Sequence, residues 1–483
     1  MEERKTEYRW DRAFEEEKFH DECGVIGVYA PGKNDIARGV YFGLHALQHR
    51  GQESAGIASN KGGKIQYYKD MGLVQEVFSD EIIERLQGDI AIGHVRYSTA
   101  GESHAGNAMP LVTYCGGEAI ALAHNGNLVN AHILRSQLQE SGVIFQTGID
   151  SEVIAALLVK YVKEQTIEAA ITKTLDVIRG GYALVITAGD KLIGVRDPEG
   201  IRPLCIGRNG EGFVLASESC VFPVLGAEFL RDVEPGEMVV IEDGELKSFH
   251  DTQKTRSAFC AFEYVYFSRP DSRLDGISVY TARSECGRIL ARECPAAADM
   301  VISVPDSGTV AAIGYAEESG IPYGEGLIKN RYVGRTFIQP DQRMRELSVK
   351  LKLNVLKDNV EGKRIIMVDD SVVRGTTSGK IVQMLKDAGA REVHLRVASP
   401  PVTDPCFFGI DTPDKNKLVA AAHSVDQICK MIGADSLGYL SVEGMLKAIG
   451  MGNDKTCTAC FTGDYPMELP ELGMEREDEP WMI

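Results

Sequence analysis

Residues 364–380 read RIIMVDDSVVRGTTSGK, which is a short apolar strand, two acidic residues, a small polar loop and the start of a helix. In α/β sheets, ligands bind at the carboxyl ends of such strands. A loop that leads into a helix presents backbone N–H groups to a phosphate. The stretch therefore predicts an α/β sheet with a phosphate-binding loop at the end of one strand.

The polar side chains of this stretch each have a chemical use. Asp369 and Asp370 suit the hydroxyls of a ribose and an associated Mg²⁺, a hard ion that prefers oxygen ligands. The residues that offer N–H groups, hydroxyls or a positive charge to a phosphate are Ser371, Arg374, Gly375, Thr376 and Thr377. The alternative is that the acids cap a helix and the loop is only a turn. A Walker loop is excluded because the Gly-Lys-Ser/Thr ending is missing.

The sequence on either side of this stretch extends the same pattern. Short apolar strands, MVISVPDSG and VHLRVASPP, alternate with helical segments such as TSGKIVQMLKDAGA. Alternation of this kind indicates a mostly parallel sheet covered by helices. Residues 301–312, VISVPDSGTVAA, repeat the strand-and-loop design, and residues 329–352 are basic. By itself, such a basic run is more typical of a solvated surface.

The N-terminal half has a different pattern. From Cys23 to about residue 250, Gly, Asn and Asp turn signals separate short β-like runs, as in antiparallel hairpins. These runs are GVIGVYA, IAIGHVRYST, EAIALAHNG, YALVITAGDKLIGVRD, GFVLASES and EMVVIEDG. Two helical patterns, IARGVYFGLHALQHRG and SEVIAALLVKYVKEQ, interrupt them. Strands and helices in separate blocks predict a layered α+β domain.

Length and charge limit the class of protein. A chain of 483 residues is too long for one ordinary core, so we expect two domains. The net charge of −18 argues against non-specific nucleic-acid binding, which needs a basic surface. The chain has neither an apolar run of transmembrane length nor the apolar stretch of a secretory signal in residues 1–22. We therefore expect a cytoplasmic protein that binds neither nucleic acid nor membrane.

The strand-and-loop of residues 364–380 closely resembles the signature of type I phosphoribosyltransferases. In that family the two acids and the Gly-Thr-Thr loop hold the ribose and 5-phosphate of phosphoribosyl pyrophosphate. The resemblance also implies that the loop of residues 301–312 contacts pyrophosphate. It places Ser307 as a third oxygen ligand of Mg²⁺, beside Asp369 and Asp370.

The basic stretch of residues 329–352 matches the flexible loop that this family closes over its substrate. Closure of such a loop excludes water from the reacting centre. By the resemblance, Lys329, Arg331 and Arg335 neutralise the pyrophosphate leaving group.

Five N-terminal motifs point to a second chemistry. In order they are Cys23 in CGVIGVYA, LQHRGQESAGIA (47–58), GHVRYSTAG (93–101), HNGNL (124–128) and GIDSE (148–152). Together they resemble the class II glutamine amidotransferase domain, whose fold is the four-layer αββα sandwich of the N-terminal-nucleophile hydrolases. In that family the nucleophilic Cys is the first residue of the mature chain. We therefore expect residues 1–22 to be a propeptide.

The residues of these motifs suit the hydrolysis of glutamine. A free α-amine has a pKa near 8, so part of it is an unprotonated base beside the Cys23 thiol. The resemblance implies that the Asn125 side chain and the Gly126 N–H hold the oxyanion. It also implies that Arg96 binds the α-carboxylate of glutamine and that Asp150 accepts from its α-ammonium. Taken singly, HNG is a good turn and Asp150 is a good helix cap.

The eleven cysteines include one candidate metal site. Cys457 and Cys460 form a C-x-x-C pair with metal-ligand spacing, and Cys260 and Cys406 are the candidate partners. Four thiolates hold either zinc or a [4Fe–4S] cluster, and a redox pair is a further reading. The remaining cysteines are expected to be ordinary core thiols: Cys115, Cys205, Cys220, Cys286, Cys294 and Cys429.

From Cys23 to about Tyr465 the chain resembles the glutamine phosphoribosylpyrophosphate amidotransferase family. The resemblance implies that glutamine, phosphoribosyl pyrophosphate and water give 5-phosphoribosylamine, pyrophosphate and glutamate, with ammonia passed through a closed channel between two sites. The members of this family that bear a cluster also carry a cleaved propeptide and match Cys260, Cys406, Cys457 and Cys460, so the resemblance implies one [4Fe–4S] cluster and one Mg²⁺ per subunit. It further implies inhibition by purine nucleotides and a homotetramer.

The predicted domain organisation follows from these motifs. We expect a propeptide (1–22), a glutaminase domain (23–255), a phosphoribosyltransferase domain with the cluster cysteines (256–466) and an acidic, Pro-containing tail (467–483). Two other functions stay open. One is a different class II amidotransferase, against which the Asp369–Asp370 loop argues. The other is a non-catalytic regulator that binds phosphoribosyl pyrophosphate and senses iron or oxygen, against which the intact Cys23 motif set argues.

Overall fold

The computed structural model describes residues 23–33, 35–97, 104–115, 117–163, 165–210, 212–250, 257–330, 353–412 and 414–470. The predicted propeptide, the domain boundary at residues 255 and 256, and residues 471–483 of the predicted tail lie outside these ranges. Arg331 and Arg335, with nearly all of the basic loop, also lie outside them.

The N-terminal domain is built from strands β1 to β13 and helices α1 to α7. The strands are β1 (Gly24–Tyr29), β2 (Ser54–Lys61), β3 (Lys64–Met71), β4 (Ile90–Arg96), β5 (Leu111–Cys115), β6 (Glu118–Leu128), β7 (Gly180–Ala188), β8 (Lys191–Arg196), β9 (Cys205–Asn209), β10 (Gly212–Ala216), β11 (Glu228–Asp232), β12 (Glu237–Glu242) and β13 (Glu245–His250). The helices are α1 (Ile36–Ala46), α2 (Val74–Val77), α3 (Asp80–Arg85), α4 (Ala131–Glu140), α5 (Ser151–Val162), α6 (Ile167–Leu175) and α7 (Val221–Val224). Short 3₁₀ turns lie at Gln48–Arg50 and Ala105–Asn107.

These elements form four layers. One sheet has the strand order β11-β9-β10-β1-β4-β2-β3 and the other has the order β13-β12-β8-β7-β6-β5, and every pairing within them is antiparallel. The inner faces of the two sheets share one apolar core. Helix α1 covers the outer face of the first sheet, and α5 and α6 cover the second. The predicted layered α+β domain is confirmed.

Strand β1 shows why this sandwich forms. Val25 points into the core between the sheets, whereas Ile26 points to the core under α1, so both faces of the strand are apolar and buried. The two layers meet closely at Gly27. A Cβ added there would lie 2.7 Å from side-chain atoms of Val185 and Leu192, so a larger residue would push the sheets apart.

The C-terminal domain is built from strands β14 to β23 and helices α8 to α15. The strands are β14 (Phe259–Cys260), β15 (Arg273–Leu274), β16 (Ile277–Ser278), β17 (Met300–Ser303), β18 (Leu327–Lys329), β19 (Leu353–Val355), β20 (Arg364–Asp369), β21 (Glu392–Val397), β22 (Ser436–Tyr439) and β23 (Thr456–Cys457). The helices are α8 (Val279–Glu293), α9 (Thr309–Ser319), α10 (Lys357–Val360), α11 (Thr376–Asp387), α12 (Val419–Ala422), α13 (Val425–Ile432), α14 (Val442–Ile449) and α15 (Ala459–Thr462). A π-helical turn spans Glu263–Phe267, and a 3₁₀ turn spans Lys415–Lys417.

The centre of this domain is a parallel sheet in the order β17-β20-β21-β22. Helices α8, α9 and α14 pack on one face of the sheet, and α11 and α13 pack on the other. The carboxyl ends of β17 and β20 lie side by side, with Ser303 opposite Val368. The predicted parallel sheet is confirmed, and its two polar loops emerge at the same edge.

The longest helix in the described ranges is α8, with 15 residues. Its buried positions, among them Val279, Ala282 and Cys286, recur every three or four residues, as in a helix with one face against a core. No helix of the described ranges combines the length and the apolar character needed to cross a membrane.

One predicted helical pattern ends early. The run IARGVYFGLHALQHRG predicts a helix to about Gly51, but α1 ends at Ala46 and a 3₁₀ turn covers Gln48–Arg50. The chain turns because the Arg50 side chain enters the protein interior, where it is fully buried among acidic groups. The buried Arg50 also contacts Cys23, the predicted nucleophile of the first site.

Candidate active sites

Cys23 lies immediately before β1 and is buried. Its Sγ lies 3.8 Å from the Tyr97 carbonyl oxygen, to which it donates a weak hydrogen bond. Its own carbonyl oxygen accepts from Arg50 Nε at 3.1 Å. The thiol and the backbone of Cys23 are therefore held by two different segments of the N-terminal domain.

Arg50 is itself fixed by two buried carboxylates. Its Nη1 donates to Glu218 Oε1 at 2.7 Å and to Glu263 Oε2 at 2.9 Å, and its Nη2 donates to Glu263 Oε1 at 2.6 Å. Burial alone would raise the pKa of Glu218, but His49 and Arg50 outweigh it and hold that pKa well below its ordinary value. Because Glu263 belongs to the C-terminal domain, the segment that holds Cys23 is tied to both domains.

Asn125 and Gly126 lie near the end of β6. Asn125 is buried, and in the described part of the chain its side-chain Nδ2 has no hydrogen-bond partner. A buried donor without a partner is rare and is available to an incoming oxygen atom. Gly126 has a φ of +140°, and a Cβ added there would lie 2.0 Å from the Gly181 carbonyl oxygen. Only glycine fits this position, which is consistent with a backbone N–H kept accessible.

The strand with Arg96 lies next to this region. Arg96 is the last residue of β4 and is buried, and its Nη1 lies 3.9 Å from Glu53 Oε1. Two residues earlier on β4, His94 Nε2 lies 3.0 Å from the His124 carbonyl oxygen and ties β4 to the oxyanion strand β6. The structure therefore joins the strand of the predicted carboxylate ligand to that of the predicted oxyanion hole.

Asp150 precedes α5, but its side chain makes no capping hydrogen bond to that helix. Instead its Oδ2 accepts from the Leu128 N–H at 2.9 Å, and its Oδ1 accepts from Ser151 Oγ at 3.3 Å. The interpretation of Asp150 as a simple helix cap is therefore wrong. Its carboxylate lies beside the end of β6, two residues beyond Gly126.

The second site lies where β20 ends. Asp369 and Asp370 are both buried, and Asp370 Oδ1 accepts from Ser371 Oγ at 2.6 Å. Ser307 Oγ donates to Asp370 Oδ2, so the structure brings two of the three predicted Mg²⁺ ligands into contact. Carboxylate and hydroxyl oxygens are the donors that a hard cation prefers, and this donor set fits Mg²⁺.

The phosphate loop leads from Ser371 into α11. Gly375 has a φ of +79° and directly precedes the helix, so the turn needs a residue without a Cβ. Thr376 is exposed, and Arg374 and Thr377 are partly exposed. The N-terminal N–H groups of a 12-residue helix therefore open toward solvent, next to a positive charge.

Lys329 lies at the end of β18, where the basic loop begins. Its Nζ donates to Asp306 Oδ2 at 3.0 Å. Asp306 precedes Ser307 in the loop that the resemblance assigns to pyrophosphate. The structure thus places one of the three predicted basic residues at this loop, and the other two, Arg331 and Arg335, lie outside the described residues.

The four candidate cluster cysteines line one small cavity. β14 and β23 pair in parallel, which places Cys260 opposite Cys457. The lining consists of Cys260, Cys406, Cys457 and Cys460 with Ile201, Arg202, Phe408, Ile410, Ala459 and Tyr465. Burial raises the pKa of the Cys457 thiol to about 12, and the neighbouring Cys406 adds to this shift. Residues from three distant segments of the chain therefore converge, as the spacing of the cysteines predicts.

The four thiols of this lining are a donor set that fits a metal centre. Four thiolates hold either one zinc ion or a [4Fe–4S] cluster, so the donor set fits the predicted cluster as well as it fits zinc.

The remaining cysteines follow the prediction only in part. Cys205, Cys220 and Cys286 are buried, as expected of core thiols. The other three are only partly buried: Cys115, Cys294 and Cys429. Cys294 packs against the core of the C-terminal domain, whereas Cys115 is the last residue of β5 and Cys429 lies within α13.

Several residues that support these sites were not predicted. Arg50 lies within the LQHRGQESAGIA motif, so its segment was recognised although its partner Glu263 was not. Arg202 Nε donates to the Phe408 carbonyl oxygen at 2.8 Å, and Asn127 Nδ2 donates to the Phe407 carbonyl oxygen at 2.9 Å. These contacts join residues that are more than two hundred positions apart, and no local pattern indicates them.

Comparison with known proteins agrees with this arrangement. Residues 94–223 match a family model described as a glutamine amidotransferase domain. The chain is 53% identical over 451 residues to the amidophosphoribosyltransferase of Archaeoglobus fulgidus, across 93% of this chain and 98% of the relative. It is 50% identical over 455 residues to that of Bacillus subtilis, across 93% of this chain and 95% of the relative.

A solved structure extends the likeness to three dimensions. It is the glutamine phosphoribosylpyrophosphate amidotransferase of B. subtilis, complexed with ADP and GMP. The two structures superpose with a TM-score of 0.88 at 50% sequence identity, and the match covers 93% of this chain and 98% of the other. Both domains, and not only the glutamine amidotransferase segment, are therefore shared with that structure.

Proposed function

The chain belongs to the amidophosphoribosyltransferase family, and we propose how its two sites divide one reaction between them. It catalyses the glutamine-dependent amination of 5-phosphoribosyl 1-pyrophosphate to 5-phosphoribosylamine in purine synthesis, with release of pyrophosphate and glutamate. The observation that carries this assignment is the likeness over nearly the full length, 53% identity across 98% of a curated relative. Nothing in the fold or the comparisons favours a non-catalytic regulator.

In the first half-reaction, the Cys23 sulfur attacks the side-chain amide carbon of glutamine. A carbon–sulfur bond forms and the carbon–nitrogen bond breaks, and the base passes the thiol proton to the nitrogen, which leaves as ammonia. Water then attacks the thioester carbon, the carbon–sulfur bond breaks, and glutamate leaves as the thiol is restored. The base is the α-amine of Cys23 itself, which is available only when residues 1–22 have been removed. We therefore propose that residues 1–22 are a propeptide, which is removed before the enzyme is active.

The groups around Cys23 take the roles that their positions allow. The unpartnered Nδ2 of Asn125 and the N–H of Gly126 stabilise the oxyanion that develops on the amide oxygen. The Arg96 guanidinium pairs with the α-carboxylate of glutamine. Asp150, which is held beside β6 by the Leu128 N–H, accepts from the α-ammonium. Glutamine is thus bound by the two charged groups on its α-carbon, while the amide at the other end of the molecule meets the thiol.

In the second half-reaction, ammonia attacks the anomeric carbon of the ribose and pyrophosphate leaves. The N–H groups and hydroxyls of residues 371–377 bind the 5-phosphate, and Asp369 and Asp370 bind the ribose hydroxyls. With Ser307 these carboxylates would hold Mg²⁺, and the ion would supply positive charge to the pyrophosphate. No protein nucleophile is needed, because positioning and charge neutralisation suffice.

The basic loop completes this second site in the proposal. Lys329, whose Nζ lies 3.0 Å from Asp306, is placed to meet the pyrophosphate. Arg331 and Arg335 are assigned the same role from the family resemblance. Closure of residues 329–352 excludes water and completes an apolar path along which ammonia travels unprotonated.

The cysteine cavity holds a [4Fe–4S] cluster in this proposal, with Cys260, Cys406, Cys457 and Cys460 as ligands. Such a cluster would cross-link three distant chain segments and would supply no chemistry to either half-reaction. Its support is the four-thiol donor set around one apolar cavity. Such a centre makes the stability of the chain sensitive to oxygen.

The relatives and the family resemblance suggest how the enzyme is regulated and how it assembles. The B. subtilis enzyme has been solved with ADP and GMP bound, and we propose that purine nucleotides also inhibit this chain. We further propose a cytoplasmic homotetramer, from the family resemblance. Inhibition of the initial rate by ADP and GMP, and the molar mass in solution by light scattering, test these two points.

One set of measurements tests the proposed assignment. Protein purified without oxygen is expected to begin at Cys23 and to contain about four iron and four sulfide per chain. Cys23→Ala is expected to abolish glutamine-dependent synthesis and to leave ammonia-dependent synthesis intact. Cys205→Ala, at a buried thiol of the same domain, is the matched control and should retain both activities. Full glutamine-dependent activity in Cys23→Ala would overturn the mechanism.

A further inference from the structure

The loop that carries Cys406 packs directly on the oxyanion strand. We define the Cys406 loop as residues 406–409. The carbonyl oxygen of Phe407 accepts a hydrogen bond of 2.9 Å from the side-chain Nδ2 of Asn127, which lies 280 positions earlier in the chain. Asn127 directly follows Gly126. The peptide that presents the proposed oxyanion donor is therefore anchored, one residue later, on the other domain.

A second contact of the same loop reaches Gly126 itself. Gly409 has a φ of +115°, and a Cβ added to it would lie 2.9 Å from Gly126 Cα. On its other side, Gly126 packs against Gly181, whose carbonyl oxygen would lie 2.0 Å from a Cβ at Gly126. Gly126 is thus confined between two backbones, one from its own sheet and one from the Cys406 loop.

The middle of the loop is clamped as well. Arg202 is fully buried, and both its Nε and its Nη2 donate to the Phe408 carbonyl oxygen, the first at 2.8 Å. The Phe408 N–H donates in turn to Cys406 Sγ at 3.3 Å. The loop is therefore fixed at three consecutive points, by Cys406, by Phe408 and by the Asn127 contact at Phe407.

We infer that Asn127 is a positioning residue for glutamine hydrolysis, acting through its bond to the Phe407 carbonyl oxygen to fix the direction of the Gly126 N–H. An oxyanion donor accelerates the reaction only if it is aimed in advance at the place where charge develops. The bond to Phe407 and the packing of Gly409 fix the direction of the Gly126 N–H, and both contacts come from outside the glutaminase domain. The inference rests on the proposed assignment of Asn125 and Gly126 to the oxyanion hole.

The same geometry gives the cysteine cavity a role in one half-reaction only. Cys406 begins the loop and is a ligand of the proposed cluster. Loss of that cluster should therefore release Phe407 and Gly409 from the oxyanion strand. Glutamine hydrolysis should then decline before ammonia-dependent synthesis does. Ammonia-dependent synthesis does not use the oxyanion strand, so the second site is not expected to respond to the same release.

The test compares Asn127→Ala with Asn130→Ala in the full-length holoenzyme. Asn130 lies three residues further on and makes a similar bond, from its Nδ2 to the Val177 carbonyl oxygen at 2.9 Å, but within its own domain. Asn127→Ala should lower kcat for glutamine hydrolysis by about tenfold or more, with KM for glutamine changed less than about twofold. Its ammonia-dependent rate and its iron content should match those of the wild type. Asn130→Ala should keep the wild-type kcat for hydrolysis.

Several outcomes would overturn the inference. An unchanged kcat in Asn127→Ala would mean that the bond to Phe407 does not position Gly126. Equal losses of glutamine-dependent and ammonia-dependent activity would mean a structural role only, as would an equal effect of Asn130→Ala. Asn125→Ala separates this failure from failure of the oxyanion assignment. Full activity of Asn125→Ala would show that Asn125 does not stabilise the oxyanion.

A second variant covers the case in which Asn127→Ala does not fold. Asn127→Asp keeps the size of the side chain but turns a carboxylate oxygen toward the Phe407 carbonyl oxygen. It should show the same selective loss of hydrolysis. During exposure to air, the wild type should lose glutaminase activity in step with its iron, while ammonia-dependent synthesis lags behind. Parallel loss of both activities with iron would contradict the proposed link between the Cys406 loop and the oxyanion strand.

Discussion

Arg50 and Glu263 form a doubly hydrogen-bonded ion pair across the two domains, with Nη2–Oε1 at 2.6 Å and Nη1–Oε2 at 2.9 Å. Both side chains are fully buried. Arg50 also donates to the carbonyl oxygen of Cys23 at 3.1 Å. The position of the nucleophile in one domain therefore depends on a carboxylate in the other.

Removal of that carboxylate should be costly. Glu263→Ala removes one of the carboxylates that compensate the buried charge of Arg50, and breaking a buried pair from one side costs about 3–5 kcal/mol. We expect the free energy of unfolding to fall by that amount, with a loss of glutamine hydrolysis that exceeds the loss of ammonia-dependent synthesis. Urea unfolding and the two activities measure this.

A surface pair provides the control for Glu263→Ala. Arg38 Nη1 and Asp80 Oδ1 are 2.9 Å apart but largely exposed, so Asp80→Ala should change stability far less than Glu263→Ala does. If Glu263→Ala proved as stable as Asp80→Ala, the remaining partners of Arg50 would be sufficient to compensate its charge. The domain-bridging role of the pair would then be wrong.

The second site offers a prediction with the opposite selectivity. Asp370 accepts from Ser307 and Ser371, and Asp370→Asn removes a negative charge from the proposed Mg²⁺ site. Ammonia-dependent synthesis should fall about 100-fold or more, because metal-based charge stabilisation contributes several kcal/mol. Glutamine hydrolysis measured without phosphoribosyl pyrophosphate should not change. Initial rates at several Mg²⁺ concentrations measure this.

Asp387→Asn is the matched control for Asp370→Asn. Asp387 is the last residue of α11 and is exposed, and its Oδ1 accepts from Gln383 Nε2 at 2.7 Å. It should retain the wild-type rate and the same dependence on Mg²⁺. A normal rate in Asp370→Asn would exclude Asp370 from both the metal site and the ribose site.

The parts of the molecule that the sequence predicts are those encoded locally. The loop from Asp369 to Gly375 is recognisable in the sequence because strand, acids, glycine and helix are contiguous, and the β-like run GVIGVYA indicates the strand β1. Asp150 shows the limit of local reasoning. Its place before α5 suggests a cap, and only the fold shows that its carboxylate turns to Leu128 instead.

The contacts that link the domains could not be predicted. Arg50 and Glu263 are 213 positions apart, and Asn127 and Phe407 are 280 apart. Arg50 lies in a glycine-containing motif and Asn127 in a turn-like HNGN run. Residues in such settings are more often exposed to solvent than bonded to another domain. Both roles arise from the packing of the two domains, which hydrophobic periodicity does not specify.

The cysteine cavity makes a prediction about metal content. Cys460→Ser should reduce iron from about four per chain to near zero, because four thiolates are needed to hold the cluster. Cys429→Ser, at a partly buried thiol whose Sγ donates to the Ala434 carbonyl oxygen at 3.3 Å, should keep the full content. Elemental analysis of both variants, prepared without oxygen, measures this. One zinc and no iron in the wild-type chain would contradict the cluster.

His94 provides a prediction about pH. Its side chain is buried, its Nε2 bonds to the His124 carbonyl oxygen, and burial lowers its pKa to about 3. Between pH 6.5 and about 3, the unfolded chain binds a proton at His94 that the folded protein does not bind. The free energy of unfolding therefore falls as the pH falls through this window, by about 1.4 kcal/mol per pH unit for one proton.

Other groups titrate in the same range, so the prediction concerns a difference between two proteins. Burial also lowers the pKa of His124, whereas burial and the neighbouring Asp197 raise the pKa of Glu199 to about 7, which acts in the opposite direction. His94→Gln removes only the His94 contribution. Its stability should therefore fall less steeply than that of the wild type between pH 6.5 and 5, by about 2 kcal/mol over this interval. Parallel urea-unfolding curves for the two proteins across this range would mean that His94 accepts its proton in the folded state.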